Sequence, residues 1–153
     1  MKWKHPPVIK IYEALGSIAD DRIELNGDVA KVYSSSGNKF YDVSYDPEGN
    51  AIMTNDNGSY WKGYLGYPAI AYLLKTGILS YNPELAEPLK GVAWKDINQK
   101  FENDFDKTLE YILSGINPEI TSELQLYVKS LDESIKKLGL NLLGKKTFPP
   151  KGY

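Results

Sequence analysis

Short turn signals at close intervals constrain the fold of this chain more than any other feature. Between residues 22 and 59 the sequence contains Asn26-Gly27, Ser35-Ser36-Gly37-Asn38, Asp46-Pro47-Glu48-Gly49 and Asp56-Asn57-Gly58. Asn-Gly pairs favour two-residue hairpins, and a proline followed two residues later by glycine is typical of a type I turn. Strands with such short connections pair with their neighbours, so the sequence predicts an antiparallel meander of three to four strands.

Helical patterns lie on both sides of the meander. After Pro6-Pro7, apolar residues recur at helical spacing and predict an N-terminal helix, at Val8, Ile11, Tyr12, Leu15 and Ile18. Beyond the meander, Pro68 and Asn82-Pro83 each open a shorter helix. The pattern then predicts one long amphipathic helix from Trp94 to Ile112, ending before Gly115.

A final helix is predicted from Asn117-Pro118 to the glycine cap at Gly139. Because only a few residues join it to the preceding long helix, we expect the two to form an antiparallel hairpin. The order of elements defines the fold class as α+β, with an N-terminal helix, a meander and a C-terminal helical half. We expect a single compact domain over residues 1–144 and a flexible basic tail over residues 145–153.

Composition excludes several kinds of chemistry. The chain has no cysteine and one histidine, His5, so it cannot form disulfides, thiolate metal sites or multi-histidine metal sites. Arg22 is the only arginine, which limits a guanidinium clamp for an anion to one place. No recognisable nucleophile or cofactor motif accompanies these residues. The sequence therefore predicts no catalytic residue, no metal and no cofactor.

A dense aromatic segment joins the strand-rich half to the helical half. Its candidate binding residues are Tyr60, Trp61, Lys62, Tyr64 and Tyr67. Tyrosine and tryptophan combine a large apolar area with a polar tip, which makes them frequent anchors in protein interfaces. The leading hypothesis is a non-catalytic interaction module that binds a protein partner or itself as a homo-oligomer. The competing interpretation packs Trp61, Tyr64 and Tyr67 between the sheet and the helices. Of the segment, Trp61 is then the first candidate for the core, and Tyr60 and Tyr64 are the first candidates for the surface.

A second hypothesis is binding of single-stranded nucleic acid. Tyrosines of the predicted strands (Tyr33, Tyr41 and Tyr45) could stack on bases, and the lysines of the tail could contact phosphates. However, the net charge is −2, and the strands carry more acidic than basic residues. The composition therefore favours a protein partner over nucleic acid.

A third hypothesis is an enzyme that uses carboxylates and a divalent cation. Glu102, Asp106 and Glu110 are four residues apart and would form one acidic stripe if a single helix spans them. Oxygen ligands of this kind suit hard cations, although a solvated surface explains the stripe equally simply.

The sequence also predicts a soluble protein that does not enter the membrane. The first residues lack the apolar run of a signal peptide, and the longest apolar stretch, Tyr64–Leu74, is too short to span a bilayer. Together with the absence of cysteine, this predicts a cytoplasmic location.

Overall fold

The computed structural model describes residues 1–151 and has the α+β architecture that the sequence predicts. Helix α1 (Ile9–Ala19) precedes four strands, which are β1 (Ile23–Asn26), β2 (Val29–Tyr33), β3 (Phe40–Asp46) and β4 (Ala51–Thr54). A π-helical turn (Gly58–Lys62) leads into α2 (Tyr67–Lys75). The remaining elements are α3 (Pro83–Ala86), a 3₁₀ turn (Glu87–Leu89), α4 (Trp94–Lys100), α5 (Phe105–Ser114), α6 (Pro118–Leu138) and β5 (Asn141–Leu142).

The four predicted strands form an antiparallel meander in sequence order, which confirms the interpretation of the turn signals. Ile23 pairs with Val32 across the first hairpin, and Val43 pairs with Thr54 between β3 and β4. The short strand β5, which the sequence did not predict, adds to the far edge in parallel with β4. This last pairing connects the end of the helical half back to the sheet.

The sheet directs one face towards the helices. Tyr41 and Val43 of β3 point to that face and are buried, whereas Phe40 and Asp42 point to the other face and are exposed. Helix α2 packs against β1–β4, and α1 packs in turn against α2, α3 and α6. Because α1 has neighbours on nearly every side, even its polar residues Glu13 and Ser17 are buried.

The predicted long helix Trp94–Ile112 is wrong, because the chain forms two helices there. Helix α4 ends at Lys100, and the next residues make a sharp turn in which Glu102 and Asn103 have positive φ angles of 53° and 61°. The Asp104 carboxylate then accepts a hydrogen bond from the backbone N–H of Lys107 and caps α5. A change of direction at a favourable N-cap overrides the continuous apolar pattern.

Helix α6 agrees with its prediction. Asn117 caps its first turn through a side-chain bond to the N–H of Glu119, and Gly139 ends it with a φ of 54°. Its buried stripe consists of Leu124, Val128, Leu131 and Ile135. None of the helices within residues 1–151 is long and apolar enough to cross a lipid bilayer.

The basic tail lies partly within the described residues. The Lys146 ammonium donates a hydrogen bond to the Tyr60 carbonyl oxygen at 3.1 Å, and the Phe148 ring centre lies 4.7 Å from that of Tyr60. The tail up to residue 151 therefore contacts the aromatic segment. The last two residues of the predicted tail, Gly152 and Tyr153, lie outside the described residues.

Candidate functional site

A polar cleft of about 310 Å³ opens between α1, the sheet and α4. Residues from six separate parts of the chain line it. Its main polar residues are Lys10, Glu13, Arg22, Lys39, Tyr41, Asp56, Tyr67, Lys95 and Asn98. Four of its lining side chains are cationic and two are carboxylates, although the whole chain has a net charge of −2. The cleft is thus a locally positive site in a mildly acidic protein.

Arg22 lies in this cleft just before β1. Its Nε donates to the Asp20 carboxylate at 3.1 Å, and its Nη1 donates to the backbone carbonyl oxygen of Tyr33. These two bonds fix the plane of the guanidinium. Its third nitrogen, Nη2, is buried and has no well-aligned hydrogen-bond acceptor among residues 1–151, although the Tyr67 hydroxyl lies close to the guanidinium. A fixed, buried donor without an acceptor is costly in a folded protein, by about 1–3 kcal/mol, unless something binds to it.

Glu13 and Lys10 of α1 form a buried ion pair along another part of the wall. Their charged atoms are 2.8 Å apart, and Glu13 is only 5% exposed. The Asn98 amide of α4 donates to the other Glu13 oxygen at 3.2 Å. Burial is the largest single effect and would lower the pKa of Lys10, but Glu13, Tyr64 and Asp56 together outweigh it and the pKa is raised. Lys10 therefore stays charged at neutral pH.

Helix α4 forms the opposite wall through Trp94, Lys95 and Asn98. Three bonds hold it in place: Asp20 accepts from the N–H of Gly91, the Ser35 hydroxyl accepts from the N–H of Lys95, and Glu13 accepts from Asn98. Two buried polar atoms on this helix, Trp94 Nε1 and Asn98 Oδ1, have no hydrogen-bond partner in the described part of the chain.

Two lysines face each other across the cleft. Lys39 begins the sheet side next to β3, and Lys95 belongs to α4. Partial burial and the neighbouring Lys95 charge lower the pKa of Lys39. Neither lysine takes part in an ion pair within residues 1–151. A bound anion would relieve this repulsion.

Two tyrosine rings form the floor of the cleft. Tyr41 and Tyr67 meet edge to face with ring centres 6.0 Å apart. Burial, with smaller contributions from the Asp56 and Glu13 charges, raises the pKa of Tyr41 to about 12. Burial also raises the pKa of Tyr67, although the nearby Arg22 charge and a hydrogen bond with the Arg22 side chain oppose the rise. Both hydroxyls therefore stay protonated at neutral pH and can donate hydrogen bonds.

The predicted aromatic segment is divided between the surface and the interior. Trp61 is 66% exposed, so the prediction that it is a core residue is wrong. It lies in the π-helical turn, with its ring against that of Tyr60 at 4.7 Å, and Lys62 beside it is also exposed. Tyr64 is half-buried and its ring covers Gly58, while Tyr67 turns inward to the cleft. The structure therefore brings only Tyr60, Trp61 and Lys62 together on the surface.

The acidic stripe does not exist as a continuous helical surface. Glu102 is in the turn after α4, whereas Asp106 and Glu110 belong to α5. Among residues 1–151, no group of three or more histidine, cysteine, aspartate or glutamate side chains is arranged to hold a metal ion.

The fold and the cleft define the class of this protein as a single-sheet α+β protein with a positively charged polar cleft beside its N-terminal helix. Residues 3–141 match the family described as Uncharacterised conserved protein UCP014422, and the chain belongs to that family. A comparison with curated proteins found no match, and a comparison with solved structures found none either.

Proposed function

We propose that this protein binds a small anionic molecule in the polar cleft. The observation that carries the proposal is the buried Nη2 atom of Arg22, a fixed donor without a well-aligned acceptor among the described residues. Lys39 and Lys95 supply further positive charge in the same cleft. A volume of about 310 Å³ is at the lower end of the range for small-molecule sites.

The protonation states of Tyr41 and Lys10 support binding rather than proton transfer at these two groups. A general acid or base works best when its pKa lies near the working pH. Here the pKa values of Tyr41 and Lys10 both lie above their ordinary values, which are already far from neutrality. These groups therefore act as fixed donors and fixed charges.

The test is the ligand-dependent change in melting temperature. A ligand that binds only the native state, at about ten times its Kd, adds ~1.4 kcal/mol and should raise the Tm by about 3–5 °C in a chain of this size. Inorganic phosphate, citrate and succinate should raise it at constant ionic strength, relative to chloride. Lys39→Gln and Arg22→Gln should remove this increase, whereas Lys129→Gln, an exposed lysine on α6, should retain it.

Arg22→Gln also removes two structural hydrogen bonds, so the decisive quantity is the ligand-induced shift and not the Tm itself. The Lys39 ammonium makes no hydrogen bond to another described residue and lies 5.6 Å from the centre of the Tyr41 ring, so its substitution disturbs the fold less than that of Arg22. If Lys39→Gln and Lys129→Gln respond to anions equally, the positive cleft does not bind them and the proposal fails.

A second candidate function is the interaction module predicted from the sequence, because Trp61 provides an exposed aromatic anchor. The Tyr60 ring contacts both the Trp61 ring and the Phe148 ring, and Phe148 is itself 71% exposed. Lys62 and the tail lysines favour an acidic partner surface. The proposed partner is a protein or a second copy of this chain, in a cytoplasmic setting that fits the cysteine-free sequence.

This candidate predicts that Trp61→Ala and Tyr60→Ala weaken self-association or partner capture without loss of the fold. Leu126→Ala is the control, since Leu126 is similarly exposed on α6. Sedimentation that is unchanged by Trp61→Ala, together with unchanged capture, would exclude the surface.

Nucleic-acid binding through the sheet stays a prediction that the geometry does not favour. Tyr41 is buried, and the Tyr45 ring packs 5.6 Å from that of Tyr72. Two of the three tyrosines of that hypothesis are therefore packed against the interior, and the third, Tyr33, lies beside Phe40 with ring centres 5.8 Å apart. The carboxylate enzyme with a divalent cation also stays a prediction, without the acidic helix surface on which it depended.

A further inference from the structure

We propose that the ligand of the cleft is a small dianion that also carries a hydrogen-bond donor. Hydroxylated dicarboxylates and hydroxylated phosphate monoesters share this chemistry. The inference rests on the proposed function, since it specifies the kind of anion that the cleft binds.

The charge of the proposed ligand follows from the ion pairs of the cleft. Lys10 is neutralised by Glu13, and Arg22 is neutralised by Asp20. Within residues 1–151, the two cationic side chains of the cleft that remain outside ion pairs are Lys39 and Lys95. The remaining lining carboxylate, Asp56, accepts bonds from Thr54 and Ser59 but keeps its negative charge, so the cleft with Asp20 retains a net charge of +1. The two lysines outside ion pairs still offer one cationic group to each anionic group of a dianion.

The acceptor atoms of such a ligand match the donors of the cleft. Arg22 Nη2 is directional and fixed, because the other two guanidinium nitrogens are already bonded. The Tyr41 and Tyr67 hydroxyls stay protonated and line the same space. Carboxylate and phosphate oxygens accept several hydrogen bonds at once and suit such a mixed set of donors.

The donor requirement follows from Asn98. Its Nδ2 must face Glu13, because the Glu13 carboxylate can only accept, and this orientation leaves Oδ1 as the remaining acceptor of the amide. Asn98 is 7% exposed, and Oδ1 has no donor among residues 1–151. A plain dianion such as succinate offers no donor at neutral pH. A dianion with a hydroxyl next to the charged group does offer such a donor.

The experiment is isothermal titration of the wild-type protein with two matched pairs of ligands. Succinate and malate differ by one hydroxyl, and propyl phosphate and glycerol 3-phosphate differ in their hydroxyl groups while sharing the phosphate. We expect the hydroxylated member of at least one pair to bind about 5-fold more tightly, the size of one net hydrogen bond. The pair that binds identifies the anion as carboxylate or phosphate.

A variant then assigns the difference to Asn98. The measured quantity is the affinity ratio within each pair, because Asn98→Leu also removes the bond to Glu13 and can weaken both members. Asn98→Leu should lose the preference for the hydroxylated member, whereas Gln125→Leu on α6 should retain it. If Asn98→Leu does not fold, the wild-type comparison alone decides. Equal binding of both members would overturn the donor requirement and leave anion binding intact. If propionate binds as tightly as succinate, the requirement for two negative charges is wrong. If no anion binds, both proposals are wrong.

Discussion

Replacing Gly16 with alanine tests the packing that holds α4 over the cleft. Gly16 lies in α1, where a β-carbon would come within 2.8 Å of Trp94 Nε1 and within 3.4 Å of the Leu89 carbonyl oxygen. The first distance is shorter than any ordinary contact, and Trp94 is only 3% exposed. A rigid, buried indole cannot rotate away without shifting α4.

Two opposing effects set the size of the stability change on replacing Gly16 with alanine. Alanine favours a helix over glycine by about 1 kcal/mol. Overpacking a well-filled interior costs about 1–3 kcal/mol, and a close contact with a rigid ring belongs in the upper part of that range. We therefore expect Gly16→Ala to lower the free energy of unfolding by about 1–2 kcal/mol and the Tm by about 3–6 °C. The shift of α4 should also weaken anion binding, because this helix carries Lys95 and Asn98.

The assay is urea unfolding followed by circular dichroism, with Gly115→Ala as the matched control. Gly115 has a φ of −88°, which alanine adopts freely, and the nearest described atom to a β-carbon there is the Ile112 carbonyl oxygen at an ordinary 3.5 Å. Gly115→Ala should change stability by less than about 0.5 kcal/mol. A Gly16→Ala protein as stable as wild type, or more stable, would refute the close packing of α1 against α4.

Two further substitutions test the cleft floor and the helix break. Because burial raises the folded-state pKa of Tyr41 to about 12, its contribution to stability is complete below pH 10 and is lost, by about 2–3 kcal/mol, as the pH rises from about 10 to 12. Tyr41→Phe should therefore lose less stability than wild type between pH 9 and 11 in urea unfolding, and identical losses would contradict the assignment. Glu102→Gly should leave the free energy of unfolding unchanged or raise it by about 0.5 kcal/mol. Glu102 has a φ of 53°, which glycine adopts more easily than glutamate. Lys100→Gly at the end of α4 should instead cost about 1 kcal/mol in thermal unfolding.

The elements that local chemistry determines could be predicted from the sequence. The turn pairs act within four residues, so they identified β1–β4 and their order without any knowledge of the rest of the fold. The cap residues Asn117 and Gly139 likewise identified both ends of α6. In each case the signal and the structure lie in the same short segment.

The errors occur where tertiary contacts decide between local alternatives. The apolar spacing from Trp94 to Ile112 fits one helix, but α4 and α5 pack in different directions and the chain breaks at Glu102 and Asn103. Asp104 was an available N-cap signal that the apolar pattern concealed. Trp61 illustrates the same limit, since an aromatic residue beside glycines carries no sign of which side of a turn it will occupy.

The cleft could not be read from the sequence because its residues come from distant segments and none forms a motif. Lys10, Glu13, Arg22, Lys39 and Asn98 approach one another only after α4 folds across α1 and the sheet. One signal did exist. In a chain whose other basic residues are lysines and a single histidine, the lone Arg22 marked the only position for a rigid guanidinium donor. Lysine would hold a charge there equally well, but it could not bond Asp20 and Tyr33 and still direct a third nitrogen into the cleft. The requirement for arginine therefore follows from this geometry, and Arg22→Lys should keep the charge and still weaken anion binding, as the ligand-induced shift in Tm would show.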